Sequence, residues 1–305
     1  MPTMKKISAN NILNIYKPVG ISPLDAIKAL KEKYPELKGE KMTYAGRLDP
    51  MAEGVLLILA GKTVYEKEKY LKLDKEYEGE ILFGFETDTS DVLGLPEKTA
   101  TSRSRLVARR DLDVALKKFE GEISLPLPPY SSYKIKGKPL FQWAREGKLS
   151  EIEIPIRQTK INSIKLLSLD KISGQNLMKE IEQKINLVKG DFRQEEILNR
   201  WQKMLPKSCA TKSTSIFVTP WLTKIGRSSL KMVTFWIAKV KISCSSGTYI
   251  RSIAHKLGRE LKTGATLFSY ERSELENKKY SCGGVLLSLK RTKVGNFDIK
   301  DSLRI

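Results

Sequence analysis

An uninterrupted apolar run at residues 55–60 (VLLILA) constrains the fold of this chain more than any other feature. Six residues are too few for a typical helix, and Gly61 closes the run, so the pattern predicts a buried strand. A second strand is predicted at residues 77–85, where apolar and polar side chains alternate. Before the first of these strands lie helix signals, such as an N-cap at Ser22 with Pro23 at the first helical position. The sequence therefore predicts a mixed α/β chain of the α+β class.

The remaining segments continue this mixture of strands and helices. Periodicity and punctuation by Gly and Pro predict further strands at 11–16, 163–169 and 234–243, and helices at 23–34, 140–145 and 249–261. Residues 87–105 are rich in Thr, Ser and Asp and are predicted to form a loop.

The charge of the chain indicates a polyanionic partner. Among 305 residues there are 55 Lys and Arg against 35 Asp and Glu, which gives a formal net charge of +20. Because an excess of one sign repels itself in a compact fold, a phosphate-rich ligand is the commonest reason for tolerating it. With 40% hydrophobic residues the chain can build a core, which excludes a wholly disordered basic tail. Nucleic acid and an anionic membrane surface are the partners that this composition favours.

Several other classes are excluded by what the sequence lacks. There is no apolar window of about 18 residues and no signal-peptide pattern, so neither export nor a membrane span is expected. The three cysteines, Cys209, Cys244 and Cys282, are too widely spaced for a disulfide framework or a Cys-x-x-Cys metal site. His255 is the single histidine, so a zinc site has too few histidine ligands, and a Ser-His-Asp site has only this one candidate, for which a catalytic role is not expected. We expect a cytoplasmic protein without a metal.

One segment, residues 172–232, differs from the rest. It contains eleven Lys and Arg and five acids, and Gly190 separates two amphipathic helical patterns. The apolar positions of these patterns are Leu177, Ile181, Ile185 and Val188, followed by Ile197, Trp201 and Leu205. Residues 197–259 hold twelve Lys and Arg and no Asp or Glu. Such depletion of acids suits a surface that faces phosphates, and a solvated basic face is the alternative.

Two short motifs carry the residues that could perform chemistry. Asp49 lies in YAGRLDPMAEG at residues 44–54, directly before the predicted buried strand. Arg251 follows the small-residue turn SSGT at residues 245–248 and falls in the first turn of a predicted helix. From pattern alone, an ordinary Asp-Pro turn and a capped helix explain these motifs best.

In this order along the chain, the motifs resemble those of the TruB-type tRNA pseudouridine synthases, which are related to the catalytic domain of dyskerin-like enzymes. The matching segments are 11–20 with KPVG, 46–50 (GRLDP), 74–77 (DKEY), 87–91 (TDTSD), 129–134 (PYSSYK) and 244–251 (CSSGTYIR). The resemblance implies a pseudouridine synthase fold, in which helices flank a central, mostly antiparallel mixed β-sheet. The catalytic domain is expected at 11–290, interrupted by a basic helical insertion at about 172–232. The 35 residues after Tyr270 are too few for a C-terminal PUA domain.

The resemblance also implies an activity and a set of site residues. Asp49 matches the catalytic aspartate, Tyr77 the tyrosine that packs on the target base, and Arg251 the arginine that pairs with the aspartate. The expected substrate-binding residues are Lys17, Pro18, Tyr44, Arg47, Lys134, Tyr249 and Arg272. The implied reaction is the isomerisation of uridine to pseudouridine at position 55 in the T-loop of tRNA, after base flipping and without a cofactor or metal. We expect a monomer whose partner is the tRNA T-stem-loop.

Two departures from the family pattern keep alternatives open. Tyr44 stands where many members have a histidine, and residues 270–272 (YER) stand where a Leu-Arg-Arg stretch is expected. The Arg47-Leu48-Asp49 loop is also similar to that of synthases that modify ribosomal RNA. The alternatives are therefore a synthase acting on ribosomal RNA and a non-catalytic RNA-binding or ribosome-assembly protein with the same fold.

Overall fold

The computed structural model of the chain describes residues 12–98, 108–205, 234–261 and 284–305. Its strands, in chain order, are β1 (Ile12–Lys17), β2 (Met42–Ala45), β3 (Ala52–Ala60), β4 (Lys75–Phe83), β5 (Phe85–Thr87), β6 (Pro96–Lys98), β7 (Gly121–Pro126), β8 (Lys134–Ile135), β9 (Lys138–Pro139), β10 (Ile156–Ser173), β11 (Thr234–Cys244), β12 (Gly284–Val294), β13 (Phe297–Asp298) and β14 (Leu303–Arg304). Its helices are α1 (Pro23–Lys33), α2 (Lys67–Leu71), α3 (Arg109–Lys117), α4 (Leu140–Arg145), α5 (Gly174–Asn186), α6 (Gln194–Met204) and α7 (Ile250–Glu260).

Ten of the described strands form one mixed sheet. Its order is β14-β1-β3-β12-β4-β11-β10-β7, with β2 beside β3 and β13 beside β12. The pairs β1–β14 and β3–β12 are parallel, and the other pairs of this sheet are antiparallel. The predicted mostly antiparallel mixed sheet with flanking helices is therefore confirmed. Within the described residues, no helix is both long and apolar enough to cross a membrane.

The apolar run at 55–60 forms the C-terminal part of β3 and is buried on both faces, as its pattern predicts. Leu56 and Ile58 belong to one hydrophobic cluster, whereas Val55, Leu57 and Leu59 belong to another. Because successive side chains of a strand point to opposite faces, β3 separates two layers of the core.

The predicted start of α1 is also confirmed. The Ser22 hydroxyl accepts a hydrogen bond from the Asp25 backbone N–H at 3.2 Å, and the Asp25 carboxylate accepts one from the Ser22 N–H at 3.1 Å. This reciprocal capping box satisfies backbone donors that the first turn would otherwise leave unpaired. Helix α1 follows the Lys-Pro-Val-Gly turn and so fixes where that turn ends.

Two segments differ from their predictions. Strand β10 covers Ile156–Ser173 instead of 163–169, because it pairs with β7 over its first part and with β11 over the rest. The prediction of a loop at 87–105 is wrong in part, since β5 and β6 pair across a turn at 88–95, while 99–105 lies outside the described residues. Polar side chains stabilise this turn, because the carboxylates of Asp88 and Asp91 accept hydrogen bonds from backbone N–H groups within it.

The two predicted helices of the segment 172–232 are present as α5 and α6. Their apolar faces are buried against the sheet in one cluster, which contains Leu177, Ile181, Ile185, Val188, Ile197, Trp201 and Leu205 together with Leu82 and Val285. Residues 172–205 carry six Lys and Arg and five acids, whereas 206–232 carry five Lys and Arg and no acid. The helix pair is therefore part of the core, and the basic excess of this segment falls at 206–232, outside the described residues.

The sheet continues beyond residue 290. Strand β12 crosses that position, and β14 pairs in parallel with β1 through Leu303 and Arg304. The C-terminal residues described by the structure therefore complete the same sheet that carries the site.

Candidate active site

Asp49 lies in the tight connection between β2 and β3. This connection begins at Gly46, whose φ of +80° is a conformation that glycine adopts without strain. The Ala52 N–H donates to the Asp49 carbonyl at 3.0 Å, and the Gly20 N–H donates to the Pro50 carbonyl at 2.8 Å. The Asp49 side chain is 35% exposed and lines a cleft. The other residues lining this cleft are Met51, Ala52, Asp91, Arg251 and Leu286 to Leu289.

Arg251, from the first turn of α7, is the direct partner of Asp49. Its Nε and Nη2 both lie 2.9 Å from Asp49 Oδ2. The rest of the guanidinium is held by backbone, since Nη1 donates to the Thr89 carbonyl at 2.9 Å and Nη2 to the Tyr130 carbonyl at 3.3 Å. No residue that the structure describes donates to Asp49 Oδ1. The arginine thus fixes one carboxylate oxygen and leaves the other for a reacting group.

A second carboxylate, Asp91, also faces the guanidinium. Its Oδ2 lies 3.7 Å from Arg251 Nε, and its Oδ1 accepts from the Thr89 hydroxyl at 2.7 Å and from the Leu93 N–H at 3.0 Å. Burial raises the pKa of Asp91 to about 6, although Arg251 and the Thr89 hydroxyl oppose this. Asp91 was not among the predicted site residues; its place at the end of the TDTSD motif, which carries three hydroxyl side chains, was the available signal.

The two carboxylates in turn determine the charge of Arg251, whose side chain is only 5% exposed. Burial alone would lower the pKa of Arg251, but the charges of Asp49 and Asp91 outweigh it, and the net shift is upward. The guanidinium therefore stays protonated inside the fold, where it can hold Asp49 in one orientation.

Tyr77 and Arg291 lie on the neighbouring strands β4 and β12, and Arg291 contacts the connection that carries Asp49. Tyr77 is buried on β4, and burial raises the pKa of its hydroxyl, although the nearby charge of Arg291 opposes this. Arg291 on β12 is 1% exposed; its Nε donates to the Val55 carbonyl at 2.7 Å and its Nη2 to the Gly46 carbonyl at 3.1 Å. Arg291 thereby ties β12 to the start of the connection and to the strand β3 that follows it, and it was not among the predicted site residues.

Strand β12 also contributes a leucine to the cleft. Leu289 lines the cleft beside Asp49, and Arg291 follows two residues later on the same strand. Arg272, the predicted substrate contact, lies outside the described residues. The Leu-Lys-Arg stretch at 289–291 is therefore similar to the Leu-Arg-Arg pattern that residues 270–272 (YER) do not match, and its leucine lies at the cleft.

Comparisons with known proteins give the family of this chain. The sequence model of the TruB family pseudouridylate synthase (N terminal domain) matches residues 33–192. The tRNA pseudouridine synthase B of Endomicrobium trichonymphae is 31% identical over 301 residues, which cover 97% of this chain and 91% of that protein. The chain belongs to the TruB family of pseudouridylate synthases. The tRNA pseudouridine synthase B of Caldicellulosiruptor saccharolyticus is 26% identical over 95% of this chain and 69% of its own length.

A solved structure supports the fold of this TruB-family chain. The Cbf5-Nop10-Gar1 complex contains a chain that matches with a TM-score of 0.52 and 16% identity. The match covers 97% of this chain and 53% of that chain, so this chain spans about half its length. Family and fold are thus those that the motifs predicted, and the chain is an isomerase of the pseudouridine synthase class.

Two other predicted site residues lie before α1: Lys17 is the last residue of β1, and Pro18 begins the turn that follows. The Lys17 side chain is fully buried, and its Nζ donates to the Pro18 and Ile21 carbonyls, each at 2.8 Å. Burial lowers the pKa of Lys17 to about 8, although the charge of Asp49 opposes this. In this position the lysine supports the turn that contacts the Asp49 connection through Gly20, and its ammonium does not face solvent.

The remaining predicted contacts lie nearer the surface. Tyr249 is half-buried directly before α7, and burial, followed by the charge of Asp49, raises the pKa of its hydroxyl. Tyr44 is half-buried on β2 with the Lys67 ammonium 5.6 Å from its ring centroid. Arg47 is exposed on the connection that carries Asp49, and Lys134 is exposed on β8 in a separate two-stranded sheet. Within the described residues, no group of three or more His, Cys, Asp or Glu side chains could hold a metal ion.

Proposed function

We propose that this enzyme isomerises uridine to pseudouridine at position 55 in the T-loop of tRNA, with Asp49 as the catalytic carboxylate. One observation supports this role above the others: among the described residues, Asp49 is the one carboxylate of the cleft that is both held by a buried arginine and open to solvent on one side. The relatives named tRNA pseudouridine synthase B support tRNA as the substrate.

The reaction needs an ionised carboxylate but no change of oxidation state. The N1–C1′ glycosidic bond breaks, the uracil turns within the site, and C5 bonds to C1′. The proton leaves C5 for solvent and N1 takes one up, so atoms and charge balance. Asp49 Oδ1 could attack C1′ or C6, or could stabilise a glycal route, while Arg251 holds Oδ2.

Tyr77 supports the reaction as a protonated aromatic platform. Burial raises the pKa of its hydroxyl, so the phenolate form is disfavoured. Flipping a uridine out of its stack costs a few kcal/mol. Stacking on an aromatic ring returns about 1–3 kcal/mol per base, which offsets much of that cost. Leu289 forms the adjacent apolar wall of the cleft.

Contacts to the RNA are assigned to half-buried and exposed residues of this chain outside the catalytic pair. We assign Arg47 and Tyr44, close to Asp49 in sequence, to the T-loop, together with Tyr249, two residues before Arg251. Lys134 and the five basic residues of 206–232 would add phosphate neutralisation. Lys17 and Pro18 would act indirectly, by holding the turn under the Asp49 connection. We propose that the enzyme acts on tRNA as a monomer in the cytoplasm.

The substrate is tested with tRNA transcripts that contain C5-tritiated uridine. Wild-type enzyme should release about one tritium per tRNA, since one C5 proton is lost per pseudouridine formed. A transcript with cytidine at position 55 should release none. Release from the cytidine-55 transcript, or from ribosomal RNA alone, would establish a different target. Tight tRNA binding without any release would favour the non-catalytic RNA-binding alternative.

A further inference from the structure

The connection between α5 and α6, residues 187–193, touches both sides of the active site; we call it the brace. At its first side, the Lys189 N–H donates to the Gly20 carbonyl at 2.8 Å, and the Gly20 N–H donates to the Pro50 carbonyl at 2.8 Å. Gly20 has a φ of +96°, and a Cβ there would lie 2.0 Å from the Leu187 carbonyl oxygen. Only glycine permits this close approach, so the brace is seated directly on the turn that contacts the Asp49 connection.

At its other side, the brace reaches the groups that hold Arg251. Arg193 Nη2 lies 2.9 Å from Asp88 Oδ2, and its guanidinium carbon lies 5.1 Å from the centroid of the Tyr130 ring. The carbonyl of Tyr130 accepts from Arg251 Nη2, and the carbonyl of Thr89, the residue after Asp88, accepts from Nη1. Arg193 therefore clamps the side chains of the two segments whose backbone orients the partner of Asp49.

The backbone conformation of the brace depends on these contacts. Arg193 has φ 61° and ψ 31°, a left-handed conformation that few residues other than glycine adopt. Such strain persists only where surrounding contacts over-determine it. The Gln194 side chain also binds the backbone of the brace. Its amide N–H groups donate to the Val188 and Gly190 carbonyls at 3.1 and 2.6 Å, and its amide oxygen accepts from the Phe192 N–H at 2.8 Å.

We infer that Arg193 is a positioning residue for the Asp49–Arg251 pair. Through the brace it fixes the distance between the side of the cleft that carries Asp49 and the side that carries Arg251. Its side chain is 26% exposed and its charge is paired with Asp88, so it is poorly placed to serve as a phosphate contact. The inference rests on the proposed function, because it requires Asp49 and Arg251 to act as a catalytic pair.

The test removes the side chain without straining the backbone. Glycine and asparagine tolerate the left-handed conformation, so Arg193→Gly and Arg193→Asn should fold at least as well as wild type. Arg110→Gln, at an exposed position of α3, controls for the loss of one positive charge. The measurements are the single-turnover rate of tritium release at saturating tRNA, the Kd for tRNA, the Tm, and amide hydrogen exchange.

The brace predicts a loss of rate without a loss of binding or stability. For both Arg193 variants we expect a rate about tenfold or more below wild type, since displacements of about 1 Å cost up to about a hundredfold. The Kd should stay within about twofold and the Tm should not fall, as for Arg110→Gln. Amide exchange should accelerate at Leu95, which donates to Asp88 Oδ1, and at Gly20.

Other results overturn the inference. An unchanged rate with a weaker Kd would make Arg193 an RNA contact, and an unchanged rate and Kd would leave it no role in the site. If both variants unfold, Arg193→Lys decides, because lysine keeps the charge but cannot stack a guanidinium on Tyr130, and a full rate in that variant overturns the inference. If wild type releases no tritium, the proposed function fails, and unchanged exchange at Leu95 and Gly20 then refutes the brace separately.

Discussion

At the scale of single residues, one guanidinium serves two carboxylates with different environments. Asp49 is 35% exposed and Asp91 is 10% exposed, and both approach Arg251. The exposed acid can meet a substrate, whereas the buried acid accepts hydrogen bonds from its own loop. This division makes Asp91 a group whose ionisation affects the stability of the site.

Asp91→Asn should remove a pH-dependent contribution to folding. Burial raises the pKa of Asp91 from 3.8 to about 6, so the folded protein binds this proton more tightly than the unfolded chain does. The stabilisation is complete below about pH 4 and is lost as the pH rises to about 6, because the unfolded chain then releases its proton first. A shift of this size corresponds to about 3 kcal/mol.

Urea titrations at pH 4 to 7 measure this effect. The free energy of unfolding of wild type, minus that of Asp91→Asn, should decrease across that window. Asparagine keeps an oxygen for the Thr89 hydroxyl and the Leu93 N–H, so the comparison isolates the charge. A difference that stays constant from pH 4 to pH 7 contradicts the assignment.

Sequence alone predicts some of these residues better than others. Asp49 and Arg251 lie in motifs that resemble a family, so the sequence predicted their pairing across 202 positions. Arg291 lies between Lys290 and Lys293 on a strand, and nothing in that pattern distinguishes an inward arginine from outward lysines. Its inward position follows from the register of β12 against β3 and β4, which only the fold provides.

At the scale of elements, α5 and α6 are structural as well as close to the site. The apolar spacing predicted both helices, because a buried stripe repeats every three to four residues. Their role in the core was not predicted, because amphipathic helices have the same pattern whether their apolar face meets the sheet or another partner. The length of β10 was missed for a related reason, since pairing with two neighbours extends a strand beyond its own pattern.

Trp201→Ala tests this structural role. The Trp201 side chain is fully buried against the sheet, and its Nε1 donates to the Val92 carbonyl at 3.2 Å. Removing it leaves a cavity and an unpaired carbonyl, so the free energy of unfolding should fall by about 3–5 kcal/mol. Urea unfolding provides the measurement. Val114→Ala, at a 53% exposed position of α3, should change it by no more than about 0.5 kcal/mol. A decrease below about 1 kcal/mol for Trp201→Ala would show that α6 is not part of the core.

At the scale of the whole molecule, the sheet order brings the site together. Strand β12 lies between β3 and β4, so Arg291 can reach both the Asp49 connection and Tyr77. The sequence predicted the fold class from its mixture of elements, and the resemblance implied the sheet. The order of strands depends on pairings between distant segments, for which local patterns carry no signal.

The net charge of +20 leads to a prediction about salt. Replacing the five Lys and Arg of residues 206–232 by glutamine should flatten the dependence of log Kd for tRNA on log salt. The slope should fall by about 0.7–0.9 for each RNA phosphate that the variant no longer neutralises. Changing Lys28 and Lys118, whose side chains are 75% and 65% exposed, to glutamine provides a control of general charge. Equal slopes for wild type and the five-residue variant would make this segment a solvated basic region.

The most direct measurement for the account as a whole is single-turnover tritium release by Asp49→Asn at saturating tRNA. Asparagine preserves the shape of the side chain but removes the negative charge that faces Arg251 and the flipped uridine. We expect release to fall by at least about 10⁴-fold, as when a group that forms a covalent or ionic intermediate is removed, with the tRNA Kd within about threefold of wild type. Release within about tenfold of wild type would show that Asp49 is not the catalytic carboxylate.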